Sequence, residues 1–236
     1  MEQKDGKDHE QRKVLKNAVV WKDLYIYRKS DTIYQLTVAF CKHFLPPYGD
    51  RTVDQMIQAA RSCKQNIVEG CEDGQTSSQM EINLINVARG SLQELQTDYN
   101  DYINTRHLTL WPKESERQRK LMAYCKTRND FKDYEPLIAK MNDEEMANLL
   151  ITLCRQTDKM LCSYIKRLEQ RFITEGGIKE RMHAARTGYR KEQDERLRTL
   201  EQENSILKTE NTHLKTEIER LKTIISNMNQ NPHEIP

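Results

Sequence analysis

Six cysteines, at 41, 63, 71, 125, 154 and 162, and six histidines, at 9, 43, 107, 183, 213 and 233, are the side chains best suited to ligating a metal or attacking an electrophile. Their spacing argues against both. No two cysteines form a CxxC pair, and no histidine group joins them at zinc-finger spacing. There is no HExxH, no phosphate-cradling glycine loop and no nucleophile elbow. The pattern fits reduced thiols filling helix faces in a reducing cytoplasm, with a disulfide framework or a metal site as the alternatives. Glu69, beside Gly70, is a candidate buried carboxylate, although such a residue more often pairs with a neighbouring arginine. With no partner acid or metal cluster, the sequence predicts no enzyme, no cofactor, no metal and no small-molecule substrate.

The 236 residues allow one or two domains. Hydrophobic residues at 36%, charged residues at 31% and few glycines or prolines fit an all-α chain with long exposed faces. The 38 Lys+Arg and 36 Asp+Glu leave a net charge of +2, so only local clusters can argue for a polyanionic partner. MEQKDGKDHEQRK at the start lacks the apolar core of a secretory signal, and no apolar run approaches the ~20 residues that span a bilayer. A cytoplasmic protein without membrane contact is expected.

Residues 1–20 are charged and aperiodic and read as a polar tail. Leu24, Ile33, Leu36, Phe40 and Phe44 recur at helical spacing, and Pro46, Pro47 and Gly49 stop the helix. Thr52-Val53-Asp54-Gln55 has capping-box form. It opens a second helix with a stripe of Val53, Met56, Ile57, Ala60, Cys63, Ile67 and Cys71, ended by Gly70 and Gly74. A similar box, Ser78 to Glu81, opens a third, running through Leu84, Val87, Ala88, Ser91, Leu95 and Tyr99 to Tyr102. Gly90 inside it costs ~1 kcal/mol relative to alanine, and the expected compensation is close approach of a neighbouring helix.

The pattern weakens over 106–140. Trp111-Pro112 is a candidate helix start, with Leu121, Met122 and Cys125 as its buried side, and KESERQRKLMAYCKTRNDFK reads as a solvated helix inserted between the third and fourth long helices. Asn142 or Asp143 caps the fourth, Glu144 and Glu145 suit its positive end, and Gly176-Gly177 ends it. Its apolar face is Met146, Leu149, Leu150, Leu153, Met160, Leu161, Tyr164, Leu168 and Phe172. Four amphipathic helices without alternating strands predict an all-α, up-down four-helix bundle over 21–175, with an insertion at about 106–140.

A basic junction at 176–196 and a coiled coil at 197–228 should follow, then a tail at 229–236. With d at Leu200, Leu207, Leu214, Leu221 and Met228, the a positions are Leu197, Asn204, Asn211, Ile218 and Ile225. The rod would be on the order of 45–50 Å long. In a parallel pair Arg196 faces Glu201, Glu203 faces Lys208, Glu210 faces Lys215 and Glu217 faces Lys222, all attractive. Asn204 and Asn211 give up stability for one register and a small strand number, because a slipped partner would leave the amide against leucine. A parallel homodimer is expected. A trimer, or a lone amphipathic helix folded back on its own domain, is the alternative.

The stretch before the rod carries Lys179, Arg181, Arg186, Arg190 and Lys191. A basic helix feeding a parallel zipper is the basic-zipper arrangement for DNA. However, Gly188 should interrupt the helix, Glu192, Asp194 and Glu195 dilute the charge, and no asparagine is placed to read a base. Non-specific phosphate contact and a solvated junction are the other readings.

NIVEG at 66–70 and NVARGSLQELQ at 86–96, with DTIYQLTVAF at 31–40 and DQMIQAARS at 54–62, resemble the four helix bundle proteins, also called the 23S rRNA-intervening-sequence protein family. FITEGGIKERM at 172–182 resembles the suffix of a longer bacterial branch, so the resemblance covers roughly residues 21–187. It implies an up-down four-helix bundle and ring-like homo-oligomers, often pentamers. In a related branch that serves diversity-generating retroelements it implies nucleic-acid binding through basic surface residues. By position, Arg61, Lys64 and Arg89 match recurrent basic sites of the family, with intramolecular pairing to Glu69 or Glu94 as the competing reading. The zipper and the insertion depart from the simple family pattern, and a five-fold ring and a two-fold rod share no axis. The function expected is a non-enzymatic, self-assembling scaffold or accessory protein that contacts RNA or DNA non-specifically. A zipper-dimer DNA-binding regulator using 179–191 and a protein-only scaffold are the alternatives.

Overall fold

The computed structural model describes Leu15, residues 19–46 and residues 50–230, side chains excepted at 228–230. The expected tail at 1–20 therefore lies almost wholly outside the described residues, as do Pro47, Gly49 and the last six residues. Among the described residues every regular element is helical. After a 3-10 turn at Trp21–Asp23 come α1 (Tyr25–Phe44), α2 (Arg51–Asp73), α3 (Ser78–Thr105), α4 (Glu116–Thr127), a 3-10 turn at Phe131–Asp133, α5 (Glu135–Ile138), α6 (Asp143–Glu175) and α7 (Ile178–Gln230). The described residues up to Arg181 form one compact unit, and those from Met182 to Gln230 belong to another.

In the first unit α1 packs on α2, α2 on α3, α3 on α6 and α6 back on α1. Cross-helix bonds establish the directions. Ser62 meets Ser91 at 3.1 Å while Gly70 lies against Ile85, so α2 and α3 are antiparallel. Tyr164 meets Glu81 and Asp143 meets Tyr102, so α3 and α6 are antiparallel as well. The centre is aliphatic and aromatic: Ile33, Leu36 and Phe40 from α1, Met56 and Ile67 from α2, Ile85, Leu92, Leu95 and Tyr99 from α3, and Met146, Leu150, Leu153 and Leu161 from α6. Tyr99 is fully buried and donates to Thr37 Oγ1 at 2.9 Å, which satisfies its hydroxyl inside the core.

The caps shift two of the expected starts. Asp50, not Thr52, caps α2 and accepts from Thr52 N at 2.9 Å. Ser77, not Ser78, caps α3 and accepts from Met80 N at 3.2 Å. In each case a side-chain acceptor one or two residues upstream reaches the free N–H groups first. Asn142 caps α6 in a reciprocal capping box with Glu145, and Gly176 ends the helix at φ 70°, a conformation that suits glycine.

Side-chain directions give three further corrections. Val87 and Phe172 are exposed rather than core-facing, and Ile85 and Leu92 take the α3 core positions. Met122 is likewise exposed, leaving Cys125 and Gln118 as the buried residues of α4. The close approach expected at Gly90 occurs elsewhere. A Cβ at Gly90 would meet nothing within 4 Å, whereas one at Gly70 would sit 3.3 Å from the Ile85 and Leu84 side chains. Ala88 and Ser91 do face the neighbouring helices.

The connection at 106–142 is docked, not solvated. Trp111-Pro112 precedes a stretch without helix, and α4 begins only at Glu116, capped by Ser115. Tyr134 is fully buried, Thr32 donates to Asn129 O at 2.8 Å, and Arg28 forms a bidentate ion pair with Asp130. Under this cover α6 is buried on all sides from Met146 to Cys154. The sign alternation of the sequence concealed this because polar side chains and backbone carbonyls share the attachment with apolar residues spread along the segment, among them Leu108, Leu121, Phe131, Tyr134 and Ile138.

In the second unit α7 passes through Gly188 without the expected break. Among the described residues no helix is long and apolar enough to cross a membrane.

Gly90→Ala should raise stability by about 0.5–1 kcal/mol, since the exposed helical site has room for a methyl group. Urea unfolding measures this directly, and the same change at Gly70 should fall short of that gain.

Candidate functional site

Two of the basic residues matched to the family pattern are held within the bundle, by partners other than those expected. Lys64 on α2 pairs with Asp31 at 3.1 Å and lies 4.3 Å over the Tyr34 ring. Arg89 on α3 pairs with Asp158 at 2.8 Å. Neither Glu69 nor Glu94 is the partner; Glu69 is exposed and accepts from Gln65. Arg61 is exposed and has no ion pair with a described residue. Arg181 donates to Gly176 O, while Lys179, Arg186, Arg190 and Lys191 are exposed on α7.

The buried carboxylate is Glu81, not Glu69. It accepts from Tyr164 OH at 3.2 Å, and its carboxyl group occupies the space beside Gly74, 2.5 Å from where a Cβ would stand. The glycine that ends α2 therefore also makes room for an acid on α3. Burial pushes the Cys41 and Cys63 thiols up to about 12 and those of Cys71 and Cys125 up to about 11, while Cys154 is raised further. At neutral pH these thiols stay protonated, so they fill space and are poor nucleophiles. Among the described residues no three His, Cys, Asp or Glu side chains are placed to hold a metal ion.

The group no motif signalled is Lys29. It points into the core from α1 at 1% exposure, without a carboxylate, and donates to Cys125 O at 2.6 Å and Gln156 Oε1 at 3.0 Å. Gln156 in turn donates to Met122 O at 2.9 Å. The same connection is held at its other end by Asn148, which donates to Thr109 O and accepts from Trp111 N, both at 2.9 Å. A buried lysine and a buried asparagine thus clamp the connection through its backbone. The sequence signal was available in part, since Lys29 lies one turn before Ile33 on the apolar face of α1.

On α7 the residues at Leu197, Leu200, Leu207, Leu214, Ile218, Leu221 and Ile225 are each 48–57% exposed in the single chain. Asn211 bonds its own helix, donating to Leu207 O at 2.9 Å. Glu217 lies 3.6 Å from Arg220, and Lys222 lies 2.9 Å from Glu219. Met228 is helical in backbone, and its side chain lies outside the described residues.

Residues 22–123 match the family model described as 23S rRNA-intervening sequence protein, from the first turn through α1, α2 and α3 into α4. The match stops short of α6 and of the 172–182 stretch expected to resemble the family suffix. No curated protein and no solved structure matches the chain.

Burial holds the Lys29 pKa below its ordinary value, so the folded state binds this proton less tightly than the unfolded one. Between the depressed folded pKa and the unfolded value of about 10.4, stability should therefore rise with pH. Lys29→Met removes the titrating group and should flatten that rise in denaturation curves taken from pH 8 to 10.5; an unchanged slope would mean that Lys29 is not its source.

Proposed function

We propose that this chain, whose segment 22–123 belongs to the 23S rRNA-intervening sequence protein family, is a non-enzymatic cytoplasmic scaffold that assembles with itself through a parallel coiled coil over 197–228. The observation that carries this reading is the exposed heptad face of α7, where a apolar seam runs with two asparagines at a positions. Burying the exposed half of one leucine is worth about 1 kcal/mol, so several leucines and isoleucines supply the association energy.

The charges beside the seam select the partner. Within one helix Glu217 and Lys222 already have partners, Arg220 and Glu219. A parallel pair exchanges those for Glu217 to Lys222 across the interface. Exposed pairs contribute only ~0.2–1 kcal/mol, so the exchange adds little stability. Its effect is to exclude registers that set like charges together. Asn211 behaves alike: its amide leaves its own Leu207 carbonyl for the opposing asparagine, and only zero offset provides that acceptor.

Contact with RNA or DNA is the second element of the reading, supported by the exposed Arg61, Lys179, Arg186, Arg190 and Lys191. The continuity of α7 through Gly188 favours the zipper-dimer DNA regulator more than the sequence alone does. The acids at Glu192, Asp194 and Glu195 still separate the basic stretch from the seam. A protein-only scaffold would bind no nucleic acid at low salt.

Light scattering on the full chain tests the assembly. Asn204→Ile with Asn211→Ile should raise the melting temperature and broaden the distribution of molar masses. Leu207→Glu with Leu214→Glu should abolish coiled-coil association, and an assembly of undiminished mass would place the contact elsewhere.

A further inference from the structure

Between α3, α6 and the 106–142 connection runs a groove of about 800 Å³. Lys113 and Arg119 line it from the connection, and Arg155 and Lys159 line it from α6. None of these four has an ion pair with a described residue. The acid among the lining residues, Asp158, is taken up by Arg89 Nε at 2.8 Å and Gln93 Nε2 at 3.1 Å. The groove therefore keeps four uncompensated positive charges. Lys166, eleven residues beyond Arg155 on the same face of α6 and likewise without an ion pair, extends the line by about 16 Å of helix from Arg155.

Two glutamines of the walls are already committed. Gln118 is buried and donates to Thr152 Oγ1 at 2.9 Å, and Gln156 lies between Lys29 and the Met122 carbonyl. What the groove offers a ligand is positive charge on two facing walls, the connection and α6. Among the described residues no aromatic ring lines it to stack a base, and Met122 is the one large apolar side chain in its lining. An acidic peptide gains its affinity from large apolar anchors seated among apolar side chains, and the apolar surface here is Met122 and the stems of long polar side chains. A nucleic-acid strand carries a phosphate at about every 3.4 Å of its helical rise, so a strand in the groove presents anions to the cations of both walls.

We propose that this groove binds the phosphate backbone of nucleic acid without reading its bases, with Lys113, Arg119, Arg155 and Lys159 as the contacts. The inference rests on the reading that the protein contacts nucleic acid, and it places that contact on the bundle and its connection rather than on the 179–191 stretch. Sequence reasoning passed over these residues because they lie on two elements 36 to 46 positions apart.

The test is fluorescence anisotropy of the full-length protein with a labelled single-stranded DNA of mixed sequence across a salt series. Arg119→Gln, Arg155→Gln and Lys159→Gln together should weaken binding at least tenfold and reduce the slope of log affinity against log salt by about 2. The charge-keeping set Arg119→Lys, Arg155→Lys and Lys159→Arg should restore binding. Arg186→Gln, Arg190→Gln and Lys191→Gln on α7 should leave it within twofold. Should the triple variant fail to fold by circular dichroism, Lys113→Gln with Lys159→Gln, both exposed, should still weaken binding three- to fivefold. Loss on changing α7 with none on changing the groove would overturn this inference and leave nucleic-acid contact standing. Absence of binding by the unaltered protein at low salt, or binding of polyglutamate alone, would overturn both.

Discussion

An ammonium group taken out of water without a carboxylate beside it is costly, and the bundle tolerates one because a main-chain carbonyl is brought to meet it. Lys29 rises from α1 into the core, and its first acceptor, the Cys125 carbonyl, belongs to α4 in the connection. Without that connection Lys29 would keep only Gln156, and Gln156 would itself lose the Met122 carbonyl to which it donates. The connection therefore completes a bundle that would otherwise hold an unsatisfied charge. The bonds from Thr32 to Asn129, from Arg28 to Asp130 and from Asn148 to the 109–111 backbone act in the same sense. They add attachment through carbonyls and N–H groups to the apolar packing of Leu121, Cys125, Phe131 and Tyr134.

That mode of attachment explains what lies beside it. Its backbone, amide and apolar contacts leave the long cationic side chains of the connection free, and Lys113 and Arg119 line the same groove as Arg155 and Lys159. The family match ends at residue 123, inside α4, so the groove joins matched residues to α6, which lies beyond the match. Whatever the groove binds depends on both, and on the clamp that keeps them together.

The four long helices and the core were legible because amphipathic spacing is a direct consequence of burial on one face. Ile33, Leu36, Phe40, Met56, Ile67, Leu95, Met146 and Leu153 needed nothing but period to find. The connection was not legible, since its determinants include carbonyl acceptors common to every residue. Its attachment also hid the second buried face of α6, although MANLLITLC is apolar enough around the helix to have signalled it. Gly90 misled for a related reason: a glycine in a helix shows that a side chain is absent, not which side of the helix needed the space. The cations chosen from local motifs proved to be largely paired or to lie on α7. Those that converge on the groove come from separate segments and share no motif.

The self-association and the groove contact proposed above would meet a single physical demand. Backbone contact through a few exposed or half-exposed cations is weak and fades as salt rises, because the counterions it releases gain less entropy in a more concentrated solution. Two bundles joined by one rod carry two grooves, so a strand held by the first meets the second at high effective concentration wherever its length allows both to engage. The proposed homodimer with its fixed register would thus strengthen a contact that reads no sequence, and Asn204 and Asn211 would matter to binding without touching the ligand. Their loss would permit larger or mixed assemblies and so alter the number of grooves per particle, while each groove kept its own affinity.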